Sequence, residues 1–185
     1  MPGQPMGVYY GYVCDGIFQD AVQVANHATQ PGAAPGRLIY RDLNGDGVID
    51  DNDRCIIGDP NPDVSLGLNL AFKYKAFTLD MFFAGDFGFD IQNHMKRQLL
   101  SMTYGNLATN RGVDILNAWT PQNTSSDIPA LSLTDDNNEA RFSTYYVEDG
   151  SYMKMKYLKL SYSLPKKLIG KIGASNLDVY GQVEN

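Results

Sequence analysis

Between Val64 and Tyr74 apolar and polar side chains alternate. Leu66, Leu68, Leu70, Phe72 and Tyr74 share one parity, and Ser65, Gly67, Asn69, Ala71 and Lys73 share the other. That period of two belongs to a strand with unlike surroundings on its two faces. A tight turn at Lys75-Ala76 resets the parity. Phe77, Leu79, Met81 and Phe83 then carry the apolar face, opposite Thr78, Asp80 and Ala84, and only Phe82 is out of phase. The pattern predicts a hairpin of two strands of about 10 residues each. Alternation returns in a run that starts at Tyr152, with Leu158, Leu160, Tyr162 and Leu164 set against Tyr157, Lys159, Ser161 and Ser163, and Pro165 ends it. A last strand is expected over 176–184, with Leu177, Val179 and Val183 on one face and Asp178, Tyr180, Gln182 and Glu184 on the other. It reaches Asn185 in mid-pattern, so the expectation is a truncated sheet-forming chain.

Elsewhere the signals are shorter. Residues 6–18 are aromatic and β-branched with interspersed glycine and read as extended. Residues 20–29 form an Ala-rich helical stretch ended by Pro31-Gly32, and residues 36–41 a short strand. Residues 56–63, with Pro60 and Pro62, read as a rigid loop. In residues 85–150 the strand signal stops. Asp90 is placed to cap a helix through about Met102, in which Ile91, Met95, Leu99 and Met102 recur at helical spacing. A second short helix is expected over 113–119, a polar stretch over 122–138, and one or two helical turns over 165–172. Roughly 60 residues between strands with only short helices of their own is unusual in a compact domain and commonly functional.

Composition narrows the class. The chain has 185 residues, with 15 Lys+Arg against 21 Asp+Glu, 18 Gly and 12 Tyr. Its 19% charged residues fall below the roughly 25% of soluble domains, and no polybasic patch points to nucleic acid. No apolar run approaches the roughly 18 residues of a membrane-spanning helix, and Met1-Pro2-Gly3 does not open a secretory signal peptide. Membrane strands stay open, because their alternation is a weaker signal. Cys14 and Cys55 are too few for a disulfide scaffold, and His27 and His94 stand alone.

One stretch concentrates oxygen ligands. Counting Asp42 as position 1, side-chain oxygens fall at 1 (Asp42), 3 (Asn44), 5 (Asp46), 9 (Asp50) and 12 (Asp53), with Gly47 at 6 and the Val48 carbonyl at 7. This is the spacing of a calcium loop. At roughly 5 Å and an effective dielectric near 20, each like-charge pair among its four carboxylates costs about 3 kcal/mol, which a cation would offset. Asp, Asn and Gly are also the residues of ordinary turns. Aspartate at position 12, one methylene shorter than glutamate, weakens bidentate coordination, and the flanks lack the paired helices of an EF-hand. A structural, not regulatory, Ca2+ is the expectation.

Several blocks in fixed order resemble one family, the SusC/RagA-type TonB-dependent outer-membrane transporters of Bacteroidetes. They are residues 11–18 (GYVCDGIF), 30–32 (QPG), 42–53 with 57–62 (IGDPNP), 119–124 (WTPQNT), 147–152 (VEDGSY), 160–167 (LSYSLPKK) and 179–185 (VYGQVEN). The match runs nearly end to end and corresponds to the C-terminal part of the transporter. The resemblance implies a 22-stranded barrel with a plug, driven by TonB and working with a SusD-like surface lipoprotein over glycans, oligosaccharides or peptides. This chain lacks a plug and most of the barrel strands of that pattern.

The expected fold is therefore mainly β: antiparallel strands of a partial outer-membrane β-barrel with long extracellular loops containing short helices. It divides into residues 1–63, an extracellular loop region with the 42–53 calcium-type loop, and residues 64–185, barrel strands with a helical extracellular insertion at 85–150, together one partial domain in outer-membrane lipid. Short periplasmic turns and long outer loops place Lys75-Ala76 and residues 165–174 on the periplasmic side. The alternative is a soluble calcium-dependent interaction or glycan-binding module, either a dockerin-like loop, although only one such loop is present, or a β-sandwich, which shows the same alternation. No Gly-x-Ser-x-Gly, Walker loop, paired-His motif or Cys/His nucleophile arrangement suggests an enzyme.

Overall fold

In a computed structural model, which describes residues 3–104 and 110–185, the alternating segments pair as their parity requires. Met1 and Pro2, on which the signal-peptide reading partly rests, lie outside the described residues. Strands β5 (Val64–Tyr74) and β6 (Phe77–Phe87) form an antiparallel hairpin closed by the two-residue turn Lys75-Ala76, where Lys75 adopts φ 54°. β9 (Tyr152–Ser163) pairs with β6, and β10 (Asp178–Glu184) pairs with β9, giving the order β10-β9-β6-β5. Between β9 and β10 run a one-turn helix, Lys166–Ile169, and a 3-10 turn, Gly170–Ile172.

The register sets one row against the next. Phe72 pairs with Leu79 and Leu79 with Leu160; Leu70 pairs with Met81, Met81 with Leu158 and Leu158 with Val183. All of these share one parity, so the sheet has one apolar face across all four strands. A β-bulge on β9 opposite Phe82 and Phe83 skips Lys156 and keeps Met155 and Met153 in line with Phe83 and Gly85. Phe82 lies on the polar side, 6.0 Å from the ring of Tyr157, and covers the space above Gly67.

The chain divides into two compact units: Met1–Asn61 with Asp90–Asp149, and Pro62–Phe89 with Gly150–Asn185. The second unit is the four-stranded sheet. The first is a set of small antiparallel pairs: β1 (Tyr9–Tyr12) with β4 (Arg54–Gly58), β2 (Cys14–Ile17) with β3 (Leu38–Tyr40), and β7 (Asp90–Gln92) with β8 (Val147–Asp149). Their core gathers Tyr12, Ile17, Leu38, Tyr40, Ile49 and Trp119. Helix α1 (Ala21–Asn26) is capped by Asp20, whose carboxylate accepts from the Gln23 amide. Helix α2 (His94–Leu100) follows β7.

Three local expectations differ from the structure. Residues 54–58, the end of which reads as loop in the sequence, form β4, because Tyr10 and Gly11 supply ladder partners for Ile56 and Cys55. Asp90 does not cap a helix. It sits in β7 and accepts from the Asp59 amide, while Asn93 accepts from the Lys96 amide and caps α2. Residues 113–117 form a 3-10 turn and not an α-helix.

Candidate functional site: an acidic loop, a two-faced sheet and a cleft of mixed charge

The acidic loop folds around its own carboxylates. Asp42 accepts from the Gly45 and Gly47 amides (2.7 and 2.8 Å), Asn44 from the Asp46 amide (2.9 Å), and Asp46 from the Val48 amide (2.9 Å). Gly45 and Gly47 have φ of 74° and 82°, a left-handed backbone that glycine adopts at no steric cost. Asp53 is fully buried and ties the ends together, one oxygen accepting from the Leu43 amide (2.9 Å) and the other from the Asp50 amide (2.8 Å). Asp50 caps the 3-10 turn Asp51–Asp53 by accepting from the Asn52 amide. Thus Asp42, Asn44, Asp46, Val48, Asp50 and Asp53 lie along one closed loop. Among the described residues, no three His, Cys, Asp or Glu side chains form a metal-holding group. The donor set still fits a hard cation: it is all oxygen, and each amide-bonded carboxylate oxygen retains a lone pair.

The exposed apolar face of the sheet is the second feature. Leu66, Phe72, Tyr74, Phe77, Leu160, Val179 and Val183 are all at least half exposed or nearly so, and an uncovered apolar face of this kind marks an interaction or membrane surface. At the hairpin end Phe77 packs on Tyr162 with ring centroids 4.8 Å apart. The opposite face is polar and internally bonded. Ser65 and Tyr152 both donate to Asp86, at 2.7 and 2.6 Å.

The first unit also holds two open clefts that no local pattern announced. One, of about 490 Å³, is lined by Lys96, Tyr145, Asp114 and Asp127 among others. Lys96 lies over the Tyr145 ring at 4.3 Å and donates to the Tyr145 carbonyl at 2.9 Å. The other, of about 640 Å³, is lined by Tyr10, Tyr12, Asp50, Asp51, Arg54, Asn138, Arg141 and Phe142. Its residues come from the two chain segments of the first unit. Only their long-range packing assembles it, so periodicity carried no signal for it.

The first unit also contains a buried polar network. Gln30 donates to the Leu38 carbonyl (2.7 Å) and to Asn137 (2.6 Å), and accepts from the Tyr40 amide (2.9 Å). Glu139 pairs with Arg37 at 2.9 Å. Burial raises the Glu139 carboxyl above its ordinary value even though Arg37 and the Leu38 amide oppose the shift. Burial likewise pushes the Cys14 thiol up to about 11 and raises the hydroxyls of Tyr145 and Tyr146. Cys14 and Cys55 are both free thiols.

No protein-family model matches the chain. Individual proteins do. TonB-dependent receptor P3 of Formosa agariphila is 36% identical over 184 residues, which is 99% of this chain and 18% of that receptor. TonB-dependent receptor P26 of the same organism is 29% identical, across 96% of this chain and 18% of its own length. TonB-dependent receptor SusC of Bacteroides thetaiotaomicron is 30% identical over 70% of this chain and 12% of its own. A structure of the RagAB peptide transporter superposes with a TM-score of 0.74 at 24% identity, covering 96% of this chain and 18% of that one. The chain thus spans less than a fifth of the length of the receptors it matches. The paired strands with one exposed apolar face, the order of sequence blocks and an end-to-end match agree: the chain belongs to the SusC/RagA-type TonB-dependent receptors, of which it represents a part.

Proposed function

We propose that the chain is a segment of a TonB-dependent outer-membrane transporter that imports glycans, oligosaccharides or peptides together with a SusD-like surface lipoprotein. The observation that carries this reading is the continuous apolar face of β5, β6, β9 and β10. Eleven-residue strands span about 34 Å along their axes. Tilted by about 40°, they rise roughly 26 Å, the height of the apolar band of an outer-membrane barrel. In this reading the apolar face meets lipid and the face with Asp86, Lys154 and Lys159 lines the lumen. Lys75-Ala76 and residues 165–174 turn on the periplasmic side, and residues 1–61 and 90–149 face the medium. Non-enzymatic transport, with TonB as the energy source, follows for the full receptor. The name of one structural neighbour, a peptide transporter, favours peptides among the cargoes.

The acidic loop enters as a brace. Asp42, Asn44, Asp46, Asp50 and Asp53 with the Val48 carbonyl would hold one Ca2+ and stiffen an outer loop near the lipoprotein. Its support is the ligand spacing and the all-oxygen donor set. Calorimetry on metal-stripped protein should show binding at millimolar Ca2+ or below, lost in Asp42→Ala/Asp46→Ala; no heat at millimolar Ca2+ refutes it. The transport reading is tested by fractionation and growth. The receptor should co-purify with outer membranes, and its deletion should abolish growth on at least one glycan or peptide source. A protein found in the soluble fraction, or unchanged growth on all sources, would overturn it.

A further inference from the structure

We infer that the cleft beside β1 is a carboxylate-binding subsite in which Arg141 is the principal cation. The Arg141 guanidinium lies over two adjacent aromatic rings, 4.8 Å from the centroid of Tyr12 and 4.4 Å from that of Tyr40, which are themselves 5.7 Å apart. Its Nε donates to the Asn138 carbonyl and its Nη2 to the Asn137 carbonyl, both at 3.1 Å. The two ring contacts and these two bonds hold the group in place, while Nη1 makes no hydrogen bond among the described residues. A planar cation whose orientation is already fixed loses little entropy when it accepts a ligand, which is where arginine outperforms lysine for carboxylates.

None of the acids around it forms an ion pair with it. Arg54, the other cation of the cleft, is ion-paired to Asp51 and donates to the Tyr12 hydroxyl at 3.2 Å. Asp50 engages its oxygens with the Asn52 amide and side chain at 2.7 and 3.2 Å. Glu139, the nearest acid in sequence, is taken by Arg37. Arg141 is therefore the one lining cation without an acidic partner among the described residues. Asn138 adds a donor: its backbone is held at φ 46°, and its side-chain amide makes no hydrogen bond among the described residues. Non-glycine residues in the left-handed region cluster at ligand clamps. The opening of about 640 Å³, walled by the half-exposed Tyr10 ring and Phe142, has the size of a small-ligand site and a mainly polar lining.

The ligand chemistry is a carboxylate carried on a larger apolar or ring-bearing body. Two sources supply it, the free C-terminus of a peptide and the uronate of an acidic oligosaccharide. The transporter reading contributes only this choice of sources. The test is calorimetric titration of the full receptor chain in detergent with four probes: penta-alanine, its C-terminal amide, tri-galacturonate and its methyl ester. At least one carboxylate probe should bind roughly 10–100-fold more tightly than its neutral counterpart, the range expected of a charge-assisted bidentate pair. Arg141→Gln should remove that difference. Because Arg141 also packs over two core tyrosines, Asn138→Gly serves as the second variant. Glycine accepts φ 46° without strain, so the fold persists and affinity should fall several-fold. Equal binding of charged and neutral probes, no binding of any probe, or wild-type affinity in a folded Asn138→Gly protein together with folded Arg141→Gln would overturn the proposal. The isotherm does not depend on uptake, so failure of transport and failure of the subsite are read separately.

Discussion

Cys14 shows how burial decides reactivity at the scale of one residue. Its thiol donates to the Gly16 carbonyl at 3.6 Å, and burial pushes its pKa up to about 11. At pH 8 the thiolate fraction is then on the order of 0.1%, against roughly a quarter for an ordinary thiol of pKa near 8.5. Iodoacetamide should therefore alkylate Cys14 at least about tenfold more slowly in the native protein than in denaturant, followed by mass spectrometry of the Cys14 peptide. Equal rates would mean the side chain is not held as described. Glu139 titrates in the folded state above its unfolded value because desolvation outweighs Arg37. A raised carboxyl binds more protons folded than unfolded, so its contribution is fully present below about pH 4.5 and is lost as pH rises through the folded value. Melting of wild type and Glu139→Gln between pH 4 and 7 should show the wild-type advantage shrinking with pH. The pair with Arg37 forms with the ionised carboxylate, opposes the raised value and so makes that slope shallower than burial alone would.

At the scale of the element, Asp53 holds the acidic loop shut. It is fully buried and accepts from the amides of Leu43 and Asp50. Asp53→Ala strands both donors, and at about 1–3 kcal/mol per unsatisfied buried group the expected loss is about 2–6 kcal/mol, read as a fall in melting temperature. Asp46→Ala, at an exposed position, should cost well under half as much in the absence of metal. The turns of this loop were legible in the sequence because its oxygen-bearing side chains fall within twelve residues and, apart from the Asp53–Leu43 closure, bond amides two to five residues away. The hairpin was legible for a similar reason: period-2 parity from Val64 to Phe83 fixes both the faces and the register. What the sequence hid depends on distant partners. β4 exists only because Tyr9–Tyr12 lies beside it, and Asp90 lost its capping role because the Asp59 amide claimed its carboxylate. Arg141 carried no signal at all, since Tyr12 and Tyr40 meet it from about 100 or more positions away.

On the whole-molecule scale, the two units place opposite demands on their surfaces. The first buries Phe18, Leu38, Tyr40 and Tyr146 within itself, whereas the sheet leaves its apolar row uncovered. Pairing β5, β6, β9 and β10 in register puts adjacent residues of one strand on opposite faces, and a pair of substitutions can test what each face meets. Leu68 and Asn69 are neighbours in β5; Leu68 pairs with Phe83 on the apolar face, and Asn69 pairs with Phe82 on the polar one. If the apolar face meets lipid, Leu68→Arg near mid-strand should destabilise the folded receptor by about 2–4 kcal/mol, the cost of arginine at the bilayer midplane. Asn69→Arg, facing the lumen, should cost less than about 1 kcal/mol. Folding into lipid vesicles, read as the denaturant midpoint of the gel-mobility shift between folded and unfolded forms, measures both. A sandwich core would also reject the Leu68→Arg substitution, so the discriminating arm is the environment. In lipid of increasing hydrocarbon thickness the Leu68→Arg penalty should grow, because the charge can no longer reach the headgroups. A soluble sandwich would show one penalty at every thickness.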